Sequence, residues 1–547
     1  MMRLAQCVKV REAPWSAAAV ATALFLPTGR RQLRCAALPH SKALRAPSRR
    51  RGIWLCGAHT KGNVCPAPGM LSFRAQRGIS LCALSRGLPI LLPLFLWAAC
   101  TVGPNYQRPK TEIPGAYRGA PPTVPGAATT ESLGDAKWWT VFQDEQLQSL
   151  IRAALEQNYD VRLAAERVLA AQAQLRITRS DLYPSAGVGV GATTEREPIS
   201  PFSPAYQWNF LQVGGGASWD IDFWGKYRRA SEAARANLAQ TEWGKHAVVS
   251  TLVANVAGAY FRLRAFDLEL DITQRSLASR RESLRLTKLL ADQGAASMVD
   301  VRQAEQLVYV ASAALPDLER QIEQGENYIR LLLAQYPGPI TRGHSLSEQV
   351  RPPVVPAGLP SQLLERRPDI HEAEQQLIAA NAQIGVARAA YFPSISLTGT
   401  AGFMSSALTE LFTKSAGVWM VTASATQPLF TAGKLQANVR LAEAQQRQAL
   451  LAYQQAIQNA FRDVSDALVA YQKTREAREQ QELLAAAAQD SARLAHVRYN
   501  GGATAYLEVL TNETNYLAAE LALSQARLNE MLSLVQIYSA LGGGWQQ

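Results

Sequence analysis

Four stretches of the chain alternate apolar with polar or small residues, as a β-strand does when its two faces meet different surroundings. In "LQVGGGASWDIDF", Leu211, Val213, Ala217, Trp219, Ile221 and Phe223 alternate with Gln212, Ser218, Asp220 and Asp222. In "SISLTGTAGF", Ile395, Leu397, Ala401 and Phe403 alternate with Ser394, Ser396, Thr398 and Thr400. "AGVGVGATT" from Ala186 and "VWMVTASAT" from Val418 repeat the pattern more weakly. The alternation predicts strands over about 184–195, 209–223, 393–404 and 417–430. A strand of about ten residues with one apolar and one polar face suits a transmembrane barrel wall or, alternatively, a soluble sheet sandwich. Four strands are too few for the smallest transmembrane barrels, which need about eight, so a barrel would be shared between subunits. Two chains would supply about eight strands and three about twelve, and strand number alone does not choose.

Elsewhere the pattern is helical. Ala-rich segments cover roughly 145–181 and 361–390, ending at "LYPS" and "YFPS", where proline cannot continue a helix. Proline is then absent from 205–315 and from 429–547, stretches rich in Ala, Leu, Gln, Glu and Arg. Gly294 and the Gly501-Gly502 pair divide them, predicting helices near 227–292, 297–335, 435–499 and 505–539. A helix of that greater length is roughly 100 Å long, too long for a compact domain. Coiled-coil hairpins are expected, and the fold class is mixed α and β, mainly α. A soluble scaffold of the same shape would share these helices. From residue 100 onward there is no apolar run long enough to predict a membrane-crossing helix.

The chain is written twice. "LEQNYDVRLAAERVLAAQAQLRITRSDLYPS" (155–185) aligns without gaps to "LERRPDIHEAEQQLIAANAQIGVARAAYFPS" (364–394) at an offset of 209. Gly225-Lys226 matches Gly433-Lys434, and "GAASMVDV" from Gly294 matches "GATAYLEV" from Gly502, both at an offset of 208. So constant an offset marks an internal duplication. It divides the chain into a first repeat, 100–336, a Pro-rich junction, 337–360, and a second repeat, 361–547.

Charge and cysteine change the picture at the amino terminus. The net charge of +12 misleads: residues 1–99 hold 15 Lys or Arg against the single acidic Glu12, while the remainder carries 41 basic and 43 acidic residues. The body has no basic run of the kind nucleic acid requires. Five of six cysteines, Cys7, Cys35, Cys56, Cys65 and Cys82, precede Cys100 and none follows it, as suits an oxidising compartment. Arg74, Arg77 and Arg86 followed by apolar Leu88 to Ala99 and "WAAC" read as a signal peptide, 70–99, starting at Met70. Residues 1–69 are then a spurious or disordered extension. The small-small-Cys ending resembles the bacterial lipoprotein signal, which makes Cys100 the lipid-bearing first residue; Trp97 stands where that signal usually has Leu, and an ordinary signal with a nearby cysteine is the alternative. Thr101 is not the Asp that retains lipoproteins in the inner membrane, so the resemblance implies outer-membrane sorting.

Ordered fragments carry a wider resemblance: "CTVGPNYQRP", "WWTVFQDEQLQSLI", "WDIDFWGKYRRASEAARAN", "RLRAFDLELDI", "DVRQAEQL", "PAGLPSQLLERRPDI", "NAQIGVARAAYFPSISL" and "ALGGGW". From 100 to 547 the chain resembles the outer-membrane efflux channel family, in its lipoprotein branch serving resistance-nodulation-division (RND) pumps. The resemblance implies an outer membrane factor fold: a homotrimer sharing one twelve-stranded β-barrel, continued by a twelve-helix periplasmic tunnel, with an equatorial region that includes 337–360. It implies a passive conduit in the outer membrane of a Gram-negative bacterium, lipid-anchored, coupled through a periplasmic adaptor protein to a proton-driven inner-membrane RND transporter. Its cargo range would be drugs, dyes, metals or signalling molecules. A periplasmic coiled-coil adaptor is the competing reading, but it would need one helical hairpin rather than two. A secreted enzyme on a helical scaffold is the other.

The hairpin ends at Gly294 and Gly501-Gly502 would form the periplasmic mouth. In related channels a Leu and an Asp one helical turn apart help seal it; Leu507 matches the Leu, while Thr511 stands at the Asp position. Asp300, Glu508, Glu305 and Glu513 are the nearby acidic candidates, each equally readable as part of a solvated helix face. The cluster Glu365, Arg366, Arg367 and Asp369 reads as a helix start with paired surface charges rather than a catalytic group. "GVGVG" from Gly187 lies in a strand pattern and does not open a helix, so it is no phosphate cradle. His40, His59, His246, His344, His371 and His496 lack ligand spacing, and no nucleotide or Ser-His-Asp motif occurs, so no cofactor or metal is expected and the chain reads as a non-enzyme.

Overall fold

The computed structural model describes residues 101–119, 132–198, 205–350, 355–356 and 358–546. The extension at 1–69, the signal at 70–99 and Cys100 lie outside the described residues. Each half of the chain is built from the same series. The first holds α1 (Glu145–Gln157), α2 (Tyr159–Ser180), β1 (Ser185–Glu197), β2 (Tyr206–Ile221), α3 (Lys226–Asp292) and α4 (Met298–Leu332). The second holds α5 (Pro360–Arg366), α6 (Pro368–Ala389), β3 (Ser394–Ser405), β4 (Gly417–Thr426), α7 (Lys434–Asn500) and α8 (Tyr506–Ala540). Helices α2, α3 and α4 have 22, 67 and 35 residues, and so do α6, α7 and α8.

Local chemistry sets the breaks and corrects several expected boundaries. Each helical pattern over 145–181 and 361–390 is two helices. Asn158 (φ −58°, ψ 134°) leaves helical geometry, and its Oδ1 accepts from the backbone amides of Asp160 and Val161 to open α2. Arg367 (φ −75°, ψ 122°) precedes Pro368, whose ring disfavours helical geometry in the residue before it. Pro316 lies inside α4 and removes one ladder hydrogen bond without ending the helix. Strand β2 stops at Ile221 because Asp222 turns to accept from the backbone amides of Tyr227 and Arg228 at the start of α3. Strand β4 stops at Thr426, ahead of Pro428, which has no N–H to join a ladder.

The strands form one antiparallel sheet in the order β1-β2-β3-β4. Helices α2, α3, α6 and α7 pack side by side in that same order. Toward the hairpin ends, α4 packs on α3, α3 on α8 and α8 on α7. The shorter helices meet end to end. Asn158 Nδ2 donates to the Leu332 carbonyl at the end of α4 (2.9 Å), and Arg367 Nη1 donates to the Ala540 carbonyl at the end of α8 (3.2 Å). Both junctions set a helix C-terminus against a helix N-terminus, so the dipoles run head to tail.

The main core lies around these junctions, where Leu147, Ile151, Tyr260, Phe261, Ile329, Ile370, Tyr453 and Ile537 are buried together. Asp144 is buried within it. Its carboxylate caps α1 through the amides of Gln146 and Leu147 and accepts from Tyr260 Oη (2.9 Å), the His344 amide (3.0 Å) and Gln349 Nε2 (2.9 Å). Burial alone would raise this carboxyl's pKa, but hydrogen bonds from Gln349, Tyr260, Leu147 and Gln146 outweigh it and hold the group below its ordinary value.

The Glu365–Asp369 cluster departs from the surface pairing expected of it. The Arg367 side chain is only 11% exposed and bonds Asp369 (2.7 Å) and Asp463 of α7 (3.2 Å), while Arg366 pairs with Asp135 near the start of the described chain. Two of these three partners come from distant sequence, so the local pattern does not announce them. Residues 101–108 lie along α3 and α6, and Tyr117 and Gly119 reach α7 at Phe461 and Val469. The Val102 amide donates to the Trp224 carbonyl (3.1 Å), Arg229 binds the Gly103 carbonyl and Asn105, and Tyr106 and Arg108 both bond Glu374 (3.0 Å each). Gly103 (φ 109°) passes so close to Gly385 that a Cβ would lie 2.5 Å from its Cα, so only glycine fits.

Replacing Asp144 with Ala should destabilise the fold by about 3 kcal/mol, since it strips several buried donors of their acceptor. Because the folded pKa of Asp144 is depressed, its contribution is complete at neutral pH and fades as pH falls below about 4. Denaturant midpoints measured from pH 7 to pH 3 should therefore converge for the wild type and Asp144→Ala; a gap that is constant with pH would contradict this.

Candidate functional site

Antiparallel partners share a face of the sheet, so the register tests whether the alternation of single strands adds up to a wall. One face carries the row Val188, Gly215, Ala401, Trp419; the row Val190, Val213, Phe403; and the row Ala186, Ala217, Gly399, Val421. Trp219, Leu397 and Ala423 continue it, followed by Ile221, Ile395 and Ala425. The opposite face carries Ser185, Ser218, Thr398 and Thr422, then Gly187, Gly216, Thr400 and Met420, with Asp220, Ser396 and Ser424 at one end. Apolar or small residues thus run across one face, while the opposite face is polar or small except at Trp208, Phe210, Met404, Val418 and Met420. Ser396 and Ser424 share a hydrogen bond on the polar face (2.7 Å). Aromatic residues collect at both strand ends: Phe403 of the apolar face with Phe412, and Trp208 with Phe210 on the opposite face, at one; Phe223, Trp224 and Phe392 at the other. Those on the apolar face match the girdles that sit at the water interfaces of a membrane barrel.

Within one chain the apolar face is uncovered, with Val188 94% exposed. Strands β1 and β4 are the edges. Soluble proteins protect such edges with charge or proline, but β4 contains neither and β1 has charge only at Glu195, Arg196 and Glu197. The two edges run in opposite directions, so β4 of one copy can continue the antiparallel ladder with β1 of the next.

At the far end of the helices, the two hairpins turn by the same device. Gly294 (φ 74°) and Gly502 (φ 70°) take the left-handed conformation after α3 and α7. Their amides donate to the Ala291 and Tyr499 carbonyls, 2.9 Å in each case, and the amides of Ala295 and Ala503 to those of Leu290 and Arg498. Gly501 caps α7 with an ordinary negative φ, so of the pair only Gly502 uses glycine's freedom. The hairpins pack on one another through Ala304, Ala495, Tyr506, Val509 and Leu510.

The structure separates the candidate mouth residues. Leu507 projects from the first turn of α8, 59% exposed. Thr511 turns its hydroxyl back to the Leu507 carbonyl (2.8 Å). Glu508 is bound by Arg498 (2.6 Å) and by the Thr504 hydroxyl, so it is no bare charge. Asp300 accepts from the Ser297 amide (3.0 Å) as part of a capping box. Glu305 lies between Lys288 (2.9 Å) and Arg302 (2.7 Å), whose hydrogen bonds lower its pKa, and Glu513 pairs with His496 (2.8 Å). The acidic candidates thus cap or pair helices locally. One residue escaped the sequence reading: Val299, the repeat equivalent of Leu507 at the offset of 208, projects from the first turn of α4, 64% exposed. The duplication itself was the signal that could have found it.

Comparison with known proteins gives one consistent answer. The family model described as "Outer membrane efflux protein" matches residues 150–335 and again 359–543, one match per repeat. "Cation efflux system protein CusC" of Escherichia coli is 36% identical over 461 residues, covering 84% of this chain and 99% of that protein. "Probable outer membrane lipoprotein SilC" of Salmonella typhimurium is 33% identical over 455 residues, covering 83% of this chain and 97% of that one. The solved open state of the Neisseria gonorrhoeae MtrE outer membrane channel superposes with a TM-score of 0.74 at 33% identity, covering 82% of this chain and 99% of the other.

If the apolar face meets lipid, Val188→Arg should cost about 2–4 kcal/mol of barrel stability, as an arginine near the bilayer midplane does. Thr400→Arg on the other face should be tolerated. Yield of membrane-inserted protein for the two variants checks this; equal loss in both would contradict the assignment of faces.

Proposed function

The chain belongs to the outer membrane efflux protein family and is an outer-membrane efflux channel; from that premise we propose how copies of it make the conduit. The observation that carries the reading is that sheet and helices share one lateral order, β1-β2-β3-β4 and α2-α3-α6-α7, with neither sheet edge paired to another strand among the described residues. Joining β4 to the next copy's β1 therefore also joins α7 to the next copy's α2, and barrel and tunnel close in one step. An eight-stranded barrel is filled by its own side chains, so the smallest closed assembly with a water-filled bore has about twelve strands, or three copies. The conduit is passive: it supplies a polar bore, and transport is driven by an inner-membrane RND transporter joined to it through a periplasmic adaptor protein. No step of this reading asks the chain for catalysis.

Cys100 is the lipid anchor in this reading. Support comes from Thr101, whose Cα would lie 3.0 Å from a Cβ on Gly225, and from the Val102 amide bonded to Trp224. Thr101, next to the proposed anchor, thus lies where the strands give way to the helices, which this reading takes as the level of the membrane face. The hairpin ends at Gly294 and Gly502 are the periplasmic mouth, narrowed by Leu507 and Val299 rather than by an acidic ring at Thr511, with Asp300 and Glu508 shaping the turns.

Deletion of the gene, followed by growth on a panel of metal cations and lipophilic organic toxins, should reveal sensitivity to at least one class, restored by the wild-type gene. Normal growth on every compound, or recovery of the protein as a soluble monomer, would sink the proposal. Val299→Ser with Leu507→Ser should raise single-channel conductance in planar bilayers at least twofold; an unchanged conductance would remove these side chains from the constriction.

A further inference from the structure

The junction of sheet and helices holds a basic cavity that the conduit does not use. About 570 Å³ in volume, it opens between the C-terminal end of α2 and the first turns of α3, and is lined by Arg179, Tyr183, Arg228, Ser231, Glu232 and Arg235. Three guanidinium groups thus face one carboxylate, and that carboxylate, Glu232, is already paired with Arg229 outside the lining (2.8 Å). Arg228 leans on Asp222 (3.3 Å), whereas Arg179 and Arg235 have no ion-pair partner among the described residues. Ser231 is 6% exposed, and its Oγ has no hydrogen-bond partner there. Burying a hydroxyl without a partner is unfavourable, and so is gathering arginines without a counter-charge. Both deficits are met by an anion that offers several acceptor oxygens, as phosphate does to the forked donors of arginine.

The depth of the cavity points to the source of that anion. Trp219 lies on the apolar face of the sheet, and its Nε1 donates to the carbonyl of Leu182 (3.0 Å). Leu182 and Tyr183 therefore belong to the lipid-facing side, at the end where Trp and Tyr mark the level of the headgroups. We propose that this cavity binds the phosphate of a phospholipid headgroup from the periplasmic leaflet of the outer membrane, with Arg179 and Arg235 as its principal ligands. Arg228 and Ser231 complete the site, and the bound lipid ties the edge helix α2 to α3 at the membrane face. This rests on the sheet being a membrane wall.

The test uses the full-length protein purified in detergent, titrated with short-chain phosphatidylglycerol and separately with inorganic phosphate, with bound lipid counted by native mass spectrometry. Arg179→Ala with Arg235→Ala should weaken phosphatidylglycerol binding at least tenfold and Ser231→Ala a few-fold, while Arg262→Ala on the exposed surface of α3 changes nothing. Inorganic phosphate at equal concentration should not displace the lipid. Undiminished lipid binding by the double variant overturns the proposal, and so does stoichiometric phosphate binding without lipid. Liposome insertion of the wild type is scored first: its failure would sink the membrane-wall reading, whereas insertion with unaltered lipid binding in the double variant sinks only this site.

Discussion

The constraint on which the structure depends is length. A 67-residue helix is about 100 Å long, and no other helix of its own repeat can cover it. The chain answers with two shorter helices joined end to end, and does so twice. Asn158 and Arg367 occupy equivalent repeat positions, and each opens a helix while donating a side-chain hydrogen bond to the last carbonyls of another. The chemistry differs, an amide in one repeat and a guanidinium in the other, but the geometry is conserved between the halves. Around these joints lie the large core, the buried carboxylate of Asp144 and the charge network of Arg367. Stability is concentrated where the helix pairs would otherwise come apart.

Because each half repeats the same walk, the lateral order of the strands is imposed on the helices. A sheet that cannot close within one chain thus becomes a design for closing between chains. The apolar face and the mainly polar or small face give the closed form a lipid side and a water side. The hairpin ends, held by their own cluster at Tyr506 and Leu510 rather than by the main core, are a separate packing unit at the far end of the helices. Such separation suits an end that must open while the joints stay fixed.

Much of this is legible in the sequence, for physical reasons. Strand faces show as alternation, the left-handed hairpin turns show as glycine, and the duplication shows as a constant offset. What stayed hidden depends on contacts between distant segments. Arg367 read as a surface residue because Asp463 and Ala540 are far away in sequence. The helix break at Asn158 was masked by Ala-rich sequence on both sides. The acidic candidates at the mouth drew attention by charge, yet Asp300 caps a helix and Glu508 is paired, while the exposed Val299 carries no chemical signal of its own.

Three copies close one barrel through β4 and β1. The most direct measurement is the native mass of the protein extracted from outer membranes in mild detergent. Closure by β4–β1 pairing predicts a single species of three chains, stable on dilution. A monomer or a dimer as the dominant species would contradict it.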